Sequence, residues 1–257
     1  MKRIKILNVE IDNVSQKELL EQLKQGVLVT PNVDQIVKMQ SDRVYYDIVR
    51  RAEWCVCDSK ILYLCAMIAG SPLPEAIPGS SFFPAFYEYH RNDENCKIFL
   101  LGAMEGVAKK AMERINSKMG RQMVVGAYSP SYGFEKKKEE NEEIYRMINA
   151  SGANVVLVGV GCPKQEKWID AHKAQMPGVD IWMALGATID FEAGNIKRAP
   201  KIWQVLYLEW FYRFLQEPKR MYKRYFVDDP KFFWYFLKQL LGLYKNPFKP
   251  EEEGKRQ

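Results

Sequence analysis

Along most of the chain, short apolar runs alternate with longer stretches in which apolar residues recur every three or four positions. Residues 1–12 alternate (Ile4, Ile6, Val9, Ile11), which predicts one or two edge strands. Residues 15–25 carry Leu19, Leu20 and Leu23 at helical spacing, and Ser15 with Glu18 forms a capping box. A strand at 27–29 runs into Thr30-Pro31-Asn32, a helix follows over 34–51, and a strand at 54–57 ends at Asp58. The helix over 59–69 stops at Gly70-Ser71-Pro72, and another covers 81–90. The rhythm then becomes regular. Strands at 97–101, 122–125, 154–158 and 180–185 are separated by helices over 105–118, 135–150 and 163–175, with a loop at 127–133. Short β-rich runs alternating with helices of this length predict an α/β fold, a Rossmann-like, doubly wound and mostly parallel sheet. Such sheets bind ligands at the carboxyl ends of their strands. From residue 199 the pattern is helical and amphipathic, over 202–215, 218–226 and 230–243. The expected organisation is a core over 1–198, a helical appendage over 199–249 and a charged, disordered tail over 250–257; there are no internal repeats.

Composition narrows the class. The 257 residues are 47% hydrophobic and 27% charged, which excludes a disordered chain and a multi-span membrane protein. Residues 1–197 hold 25 Lys/Arg against 25 Asp/Glu, whereas 198–249 hold 11 against 4 and also carry 16 of the 33 aromatics. The excess charge therefore belongs to one aromatic segment, which suits an anionic, partly apolar partner: a membrane surface, a lipid diphosphate or nucleic acid. The N-terminal stretch lacks the apolar core of a signal peptide. The C-terminal apolar stretches are broken by Lys231 and Lys238, so that segment is expected to lie on a bilayer rather than cross it. Five Cys, an odd number, and no Cys-x-x-Cys with only two His fit a reducing cytosol and no zinc site.

The chemistry-bearing residues sit where strands end. In Val158-Gly-Val-Gly161-Cys-Pro163, a buried strand turns tightly into a helix whose free N–H groups can hold an anion, with Lys164 and Gln165 in reach of a phosphate or sugar; the alternative is a plain turn. Gly102-Ala103 forms a second such turn. Tyr132, in the loop after the next strand, either covers a base or sugar or is a surface residue. Asp58 is either a helix N-cap or a general base, and Asp190 after Gly186 is either catalytic or a local cap. Arg213, Arg220, Lys223 and Arg224 form a basic constellation among aromatics; guanidinium forks suit a diphosphate. The sequence has no Walker loop and no G-x-G-x-x-G with a following acidic residue, which disfavours a nicotinamide dehydrogenase.

Taken in order, these motifs resemble the WecG/TagA/CpsF family of bacterial glycosyltransferases, from about Ile4 to Arg224. The most specific stretch is Val158 to Trp168, followed by Gly186-Ala-x-x-Asp190, Ala193-Gly194, Arg198-Ala199-Pro200, Glu209-Trp-x-Tyr-Arg213 and Glu217-Pro-x-Arg220. The resemblance implies transfer of an N-acetylhexosamine or related hexose from a UDP-sugar to a polyprenyl-diphosphate-linked saccharide, for exopolysaccharide, teichoic acid or surface antigen. It implies an inverting reaction without a metal or other cofactor; the sequence has no Asp-x-Asp motif. It maps the family's Thr-Pro-Asn onto Thr30 and Asn32, its base onto Asp58 and its active-site Gln onto Gln165. Nucleotide contacts are expected from Gly102, Ala103 and Tyr132, and phosphate contacts from Gly161, Lys164, Arg213, Arg220 and Lys223 or Arg224.

Three departures stand out. Asp58-Ser59 replaces Asp-Gly, Ala76 and Ser81 stand at the Arg and Asp of Arg-x-x-Gly-Ser-Asp, and Lys223 stands where a third Arg is usual. The resemblance places the chain in the cytoplasm, peripheral on the inner face of the membrane, with self-association as another way to cover the apolar appendage. The rival reading is a non-catalytic nucleotide-binding module docked on membrane or nucleic acid through its basic tail; the transferase reading expects no nucleic acid partner.

Overall fold

The computed structural model describes residues 2–197, 199, 200, 203 and 209–248, without the side chains of Glu209, Arg213 and Arg220. Arg198, most of 201–208 and the tail expected over 250–257 lie outside the described residues. Among the described residues, six strands form one parallel sheet in the order β4-β3-β8-β7-β5-β6. They are β3 (Gly26–Val29), β4 (Trp54–Cys55), β5 (Ile98–Gly102), β6 (Val124–Tyr128), β7 (Val155–Gly159) and β8 (Ile181–Ala184). The first two strands, β1 (Arg3–Ile6) and β2 (Val9–Asp12), pair with each other as a separate antiparallel hairpin and do not edge the main sheet.

The central strands are buried on both faces, which is why they read as continuous apolar runs. Alternate residues divide between two cores. Val29, Leu101, Val156 and Trp182 face one core, made with α2 (Val33–Lys38), α3 (Arg43–Arg51), α4 (Lys60–Ile68), α7 (Lys138–Ser151) and α8 (Lys164–His172). Leu28, Leu100, Leu157 and Met183 face the other, made with α1 (Gln16–Gln22), α5 (Gly79–Tyr89), α6 (Val107–Met119) and α9 (Thr188–Ala193). This is the doubly wound arrangement expected.

Several boundaries differ from the expected ones. The helix expected over 34–51 is two helices, because Asp42 accepts from the Tyr45 N–H and restarts the chain as a new N-cap. Strand β6 runs on to Tyr128, carried by its pairing with β5 and not by its own apolar pattern. The stretch after Gly186 folds as the short helix α9, and the helix expected from Pro163 to residue 175 begins at Lys164 and ends in a 3-10 turn, Lys173–Gln175.

The C-terminal segment forms α10 (Glu209–Gln216), α11 (Pro218–Lys223), a π-helical turn (Arg224–Asp228) and α12 (Asp229–Leu240). Helix α12 docks on the core through Phe232 and Phe236, one turn apart and both buried. Gln239 accepts from the Leu7 N–H at 2.6 Å, and the Tyr244 hydroxyl donates to Gln40 at 2.6 Å.

At the carboxyl edge the ends of β5, β7 and β8 press together. A Cβ on Gly102 would lie 2.5 Å from the Gly159 carbonyl oxygen, and one on Gly159 would lie 2.7 Å from that of Gly186. Gly102 also has φ +141°, where L side chains are strained. Because both obstacles are backbone, Gly102→Ala is expected to destabilise the fold by about 3 kcal/mol or more, read as a lowered midpoint in urea unfolding. An unchanged midpoint would mean that the β5 and β7 ends can part at little cost.

Candidate active site

One cleft of about 600 Å³ opens at the carboxyl ends of β3, β4, β7 and β8. Thr30, Asn32, Asp58, Gly161, Gln165, Lys223 and Arg224, all marked by the sequence, line it. Both the strand-end turns and α11 with the π turn contribute to its lining. The sheet's order thus gathers residues that lie up to about 190 positions apart.

Asp58 does not cap α4. Ser59 does, its hydroxyl accepting from the Leu62 N–H at 3.1 Å. The Asp58 carboxylate instead accepts from the Gly79 N–H through Oδ1 at 3.0 Å, and its own N–H donates to the Pro31 carbonyl at 3.2 Å. It is half-buried at the cleft wall, oriented by backbone from a neighbouring segment. A carboxylate held in this way at a cleft lining has the fixed placement that a general base requires.

Thr30 is buried. Asn32 closes a capping box on α2, accepting from the Gln35 N–H at 3.2 Å while the Gln35 carboxamide accepts from the Asn32 N–H at 2.9 Å. Gln165 is 1% exposed, and its carboxamide oxygen accepts from both Gly161 N–H (3.2 Å) and Gly186 N–H (3.1 Å).

Where α2 meets the C-terminal helices, the cleft brings cations and carboxylates together. Arg224 Nε lies 3.9 Å from Asp34 Oδ2, and Lys38 Nζ is 2.8 Å from the same oxygen. Neither Arg224 Nε nor Asp229 Oδ1 has a hydrogen-bond partner, although both atoms are buried. Burial pushes the Asp229 carboxyl up to about 6, against the pull of Arg224. Lys223 is exposed at the rim. Arg213 and Arg220 stand on α10 and α11; their side chains are outside the described set.

Five marked residues, Gly102, Ala103, Tyr132, Lys164 and Asp190, fall outside the cleft lining. Gly102 and Ala103 lie at the end of β5, where the Ala103 N–H donates to Gly159 and φ is +59°. The order β6-β5-β7-β8 reverses direction between β5 and β7, so these residues stand at a topological switch point, the crevice where doubly wound sheets hold nucleotides. Tyr132 is 96% exposed above it, with Lys164 Nζ 5.2 Å from its ring centre and 3.5 Å from Glu135. Gly159 and Gly186 connect this crevice to the cleft. Asp190 lies in α9, not in the cleft lining.

Residues that sequence reasoning passed over also line the cleft: Asp34, Gln35, Lys38, Asp228 and Asp229. Asn32-x-x-Gln35 carries the capping-box signal that would have placed Gln35. The five cysteines are unpaired, and burial raises the Cys162 thiol to about 12. Among the described residues, no three His, Cys, Asp or Glu side chains gather to hold a metal ion, and no helix is long and apolar enough to cross a membrane.

The family model for the WecG/TagA/CpsF glycosyl transferases matches residues 4–246, nearly the whole chain. The chain belongs to that family. It is therefore a glycosyltransferase, with a sugar donor and a saccharide acceptor, of a family that implies cell-surface polysaccharide synthesis. The match runs through the C-terminal helices as well as the sheet, in keeping with a cleft that both build.

Proposed function

We propose that the chain moves a hexose or N-acetylhexosamine from a UDP-sugar to a polyprenyl-diphosphate-linked saccharide, with inversion at the anomeric carbon and without a metal. One observation supports this reading above the others: Asp58 and the cations Lys223 and Arg224, from the two ends of the chain, line one and the same cleft. The nucleotide lies along the switch-point crevice at Gly102, Ala103 and Tyr132, and its sugar enters the cleft past Gly186. The acceptor hydroxyl gives its proton to the Asp58 carboxylate as its oxygen attacks C1 from the face opposite the diphosphate. The C1–O bond to the diphosphate breaks, and UDP leaves with that electron pair. Lys223 and Arg224, with Arg213 and Arg220 on the same helices, stabilise the charge that collects on the leaving group. The test is incubation with a panel of UDP-sugars and a short-chain polyprenyl-diphosphate saccharide. Growth of the acceptor by one sugar of inverted configuration is expected, read by mass spectrometry and NMR; a retained configuration, or no growth with any donor, would contradict the reading.

The acceptor's lipid tail calls for a membrane surface, and α12 offers one. While Phe232 and Phe236 face the core, Phe233, Trp234, Leu237, Leu240 and Leu241 are exposed, with Lys231 in the same helix and Lys245 just after it also exposed. An apolar patch rimmed by cations suits the anionic inner leaflet of the cytoplasmic membrane. Wild type is expected to sediment with anionic phospholipid vesicles, and Trp234→Glu/Leu237→Glu to stay in the supernatant with an unchanged melting temperature. Equal sedimentation of the two would refute the surface. A lipid-free oligomer that the double variant dissolves would assign the patch to self-association instead.

A further inference from the structure

The strand-end turns that line the cleft are joined by one buried chain of side-chain hydrogen bonds, and its centre is Glu166. Glu166 is 1% exposed, at the third position of α8. Its Oε1 accepts from the Gln165 carboxamide at 3.0 Å and from the Gln35 carboxamide at 3.3 Å. Gln165 passes the connection on to the Gly161 and Gly186 N–H groups, at the ends of β7 and β8. Gln35 passes it to the Asn32 N–H, after β3. The polarity of each carboxamide is dictated by its partners: backbone donors on the oxygen side, a carboxylate on the nitrogen side. Glu166 itself does not line the cleft.

We infer that Glu166 is a positioning residue, which sets the β3, β7 and β8 turns in one register through Gln35 and Gln165 and so shapes the cleft without touching substrate. This rests on the transferase reading only for its effect on turnover. Gln165 then acts through the turns it holds, since both ends of its carboxamide are occupied within the protein. Removing the shared acceptor leaves two buried N–H donors unsatisfied and frees both carboxamides to turn, loosening three turns together.

The device is sensitive to pH. Burial pushes the Glu166 carboxyl up to about 7, and Oε2 has no partner to favour either form. The charged and titratable groups facing it are Lys38 from α2, Tyr45 from α3 and the Cys162 thiol from the preceding turn. Lys38 favours the carboxylate; the other two are held protonated by burial. An ionised Oε1 accepts more strongly than a neutral one, so the turns tighten as pH rises through about 7.

Hydrogen exchange at the Gly161 and Gly186 amides reads the strut whether or not a substrate is known. Glu166→Met is expected to speed exchange at both amides tenfold or more, with Leu100 in β5 as the unaffected control. Glu166→Gln, which keeps an acceptor oxygen, restores most of the protection. Corrected for intrinsic rates, wild-type exchange slows as pH rises through about 7, and Glu166→Gln loses this step. In the transfer assay kcat falls tenfold or more in Glu166→Met and recovers in part in Glu166→Gln. Wild-type exchange at both amides in Glu166→Met would overturn the inference, as would a pH step that survives in Glu166→Gln. A wild type that turns over no sugar would count against the transferase reading alone, because the exchange data still judge the strut.

Discussion

Asp58→Asn is expected to lower acceptor-dependent turnover by about 100-fold to 10,000-fold, the range a positioned general base supplies. The substitution is close to isosteric. An asparagine oxygen can still accept from the Gly79 N–H, the bond that holds the side chain at 3.0 Å. What it loses is the capacity to take the acceptor's proton. The melting temperature should therefore stay unchanged while kcat falls, and donor binding by calorimetry should persist. Turnover near the wild-type rate would remove Asp58 from the base role. A loss of both turnover and folding would instead assign it to the Gly79 contact.

The second large effect concerns the cations that the C-terminal helices bring to the cleft. Replacing Lys223 and Arg224 together by Gln is expected to cost about 100-fold or more in kcat, since one well-placed donor to a developing anion is worth about 10²–10³. Charge moves onto the diphosphate as the C1–O bond breaks, so the loss should fall more on kcat than on KM. Arg224→Lys separates charge from geometry: a lysine keeps the charge but lacks the guanidinium fork. Recovery of less than half the lost rate would show that the fork matters. The Asp34 carboxylate, 3.9 Å from Arg224, also draws on Lys38 at 2.8 Å, so it keeps a cation when Arg224 is gone. A double variant with unchanged kcat would mean that the cations of the C-terminal helices lie outside the reaction.

Much of this architecture was legible before any coordinates. Strands β5, β7 and β8 announce themselves because burial on both faces makes them continuous apolar runs, and the Ser15–Glu18 capping box stands where it was read. The parts that escaped are those decided at a distance. Only the short polar stretch that includes Gln40, Ser41 and Asp42 interrupts the apolar spacing there, a gap too short to read as a break, and the capping carboxylate of Asp42 is what restarts the chain as a second helix. Gly126 and Ala127 have little strand preference, and β6 extends through them because β5 lies alongside. In α12 aromatic residues occupy both faces, and no pattern says that Phe232 and Phe236 turn inward while Phe233 and Trp234 turn out.

The candidate site divides in the same way. Asp58 was legible as a carboxylate at a strand end, but not its bond to Gly79, 21 positions on. Glu166 stood inside the most specific motif, but nothing in the sequence marks it as a buried acceptor, since its partner Gln35 is 131 positions away. The contribution of Asp34, Lys38 and Asp229 to the cleft depends on α12 folding back over α2, which no short stretch of sequence encodes.

The central claim is that this cleft transfers sugar from a UDP donor by base-assisted displacement, with protein cations in place of a metal. UDP release in EDTA, measured with and without the polyprenyl-diphosphate acceptor for wild type and Asp58→Asn, tests it most directly. The account expects release that depends on acceptor, persists in EDTA and collapses in the variant. Release that stops in EDTA and returns with added divalent cation, or that is the same in Asp58→Asn, would contradict it.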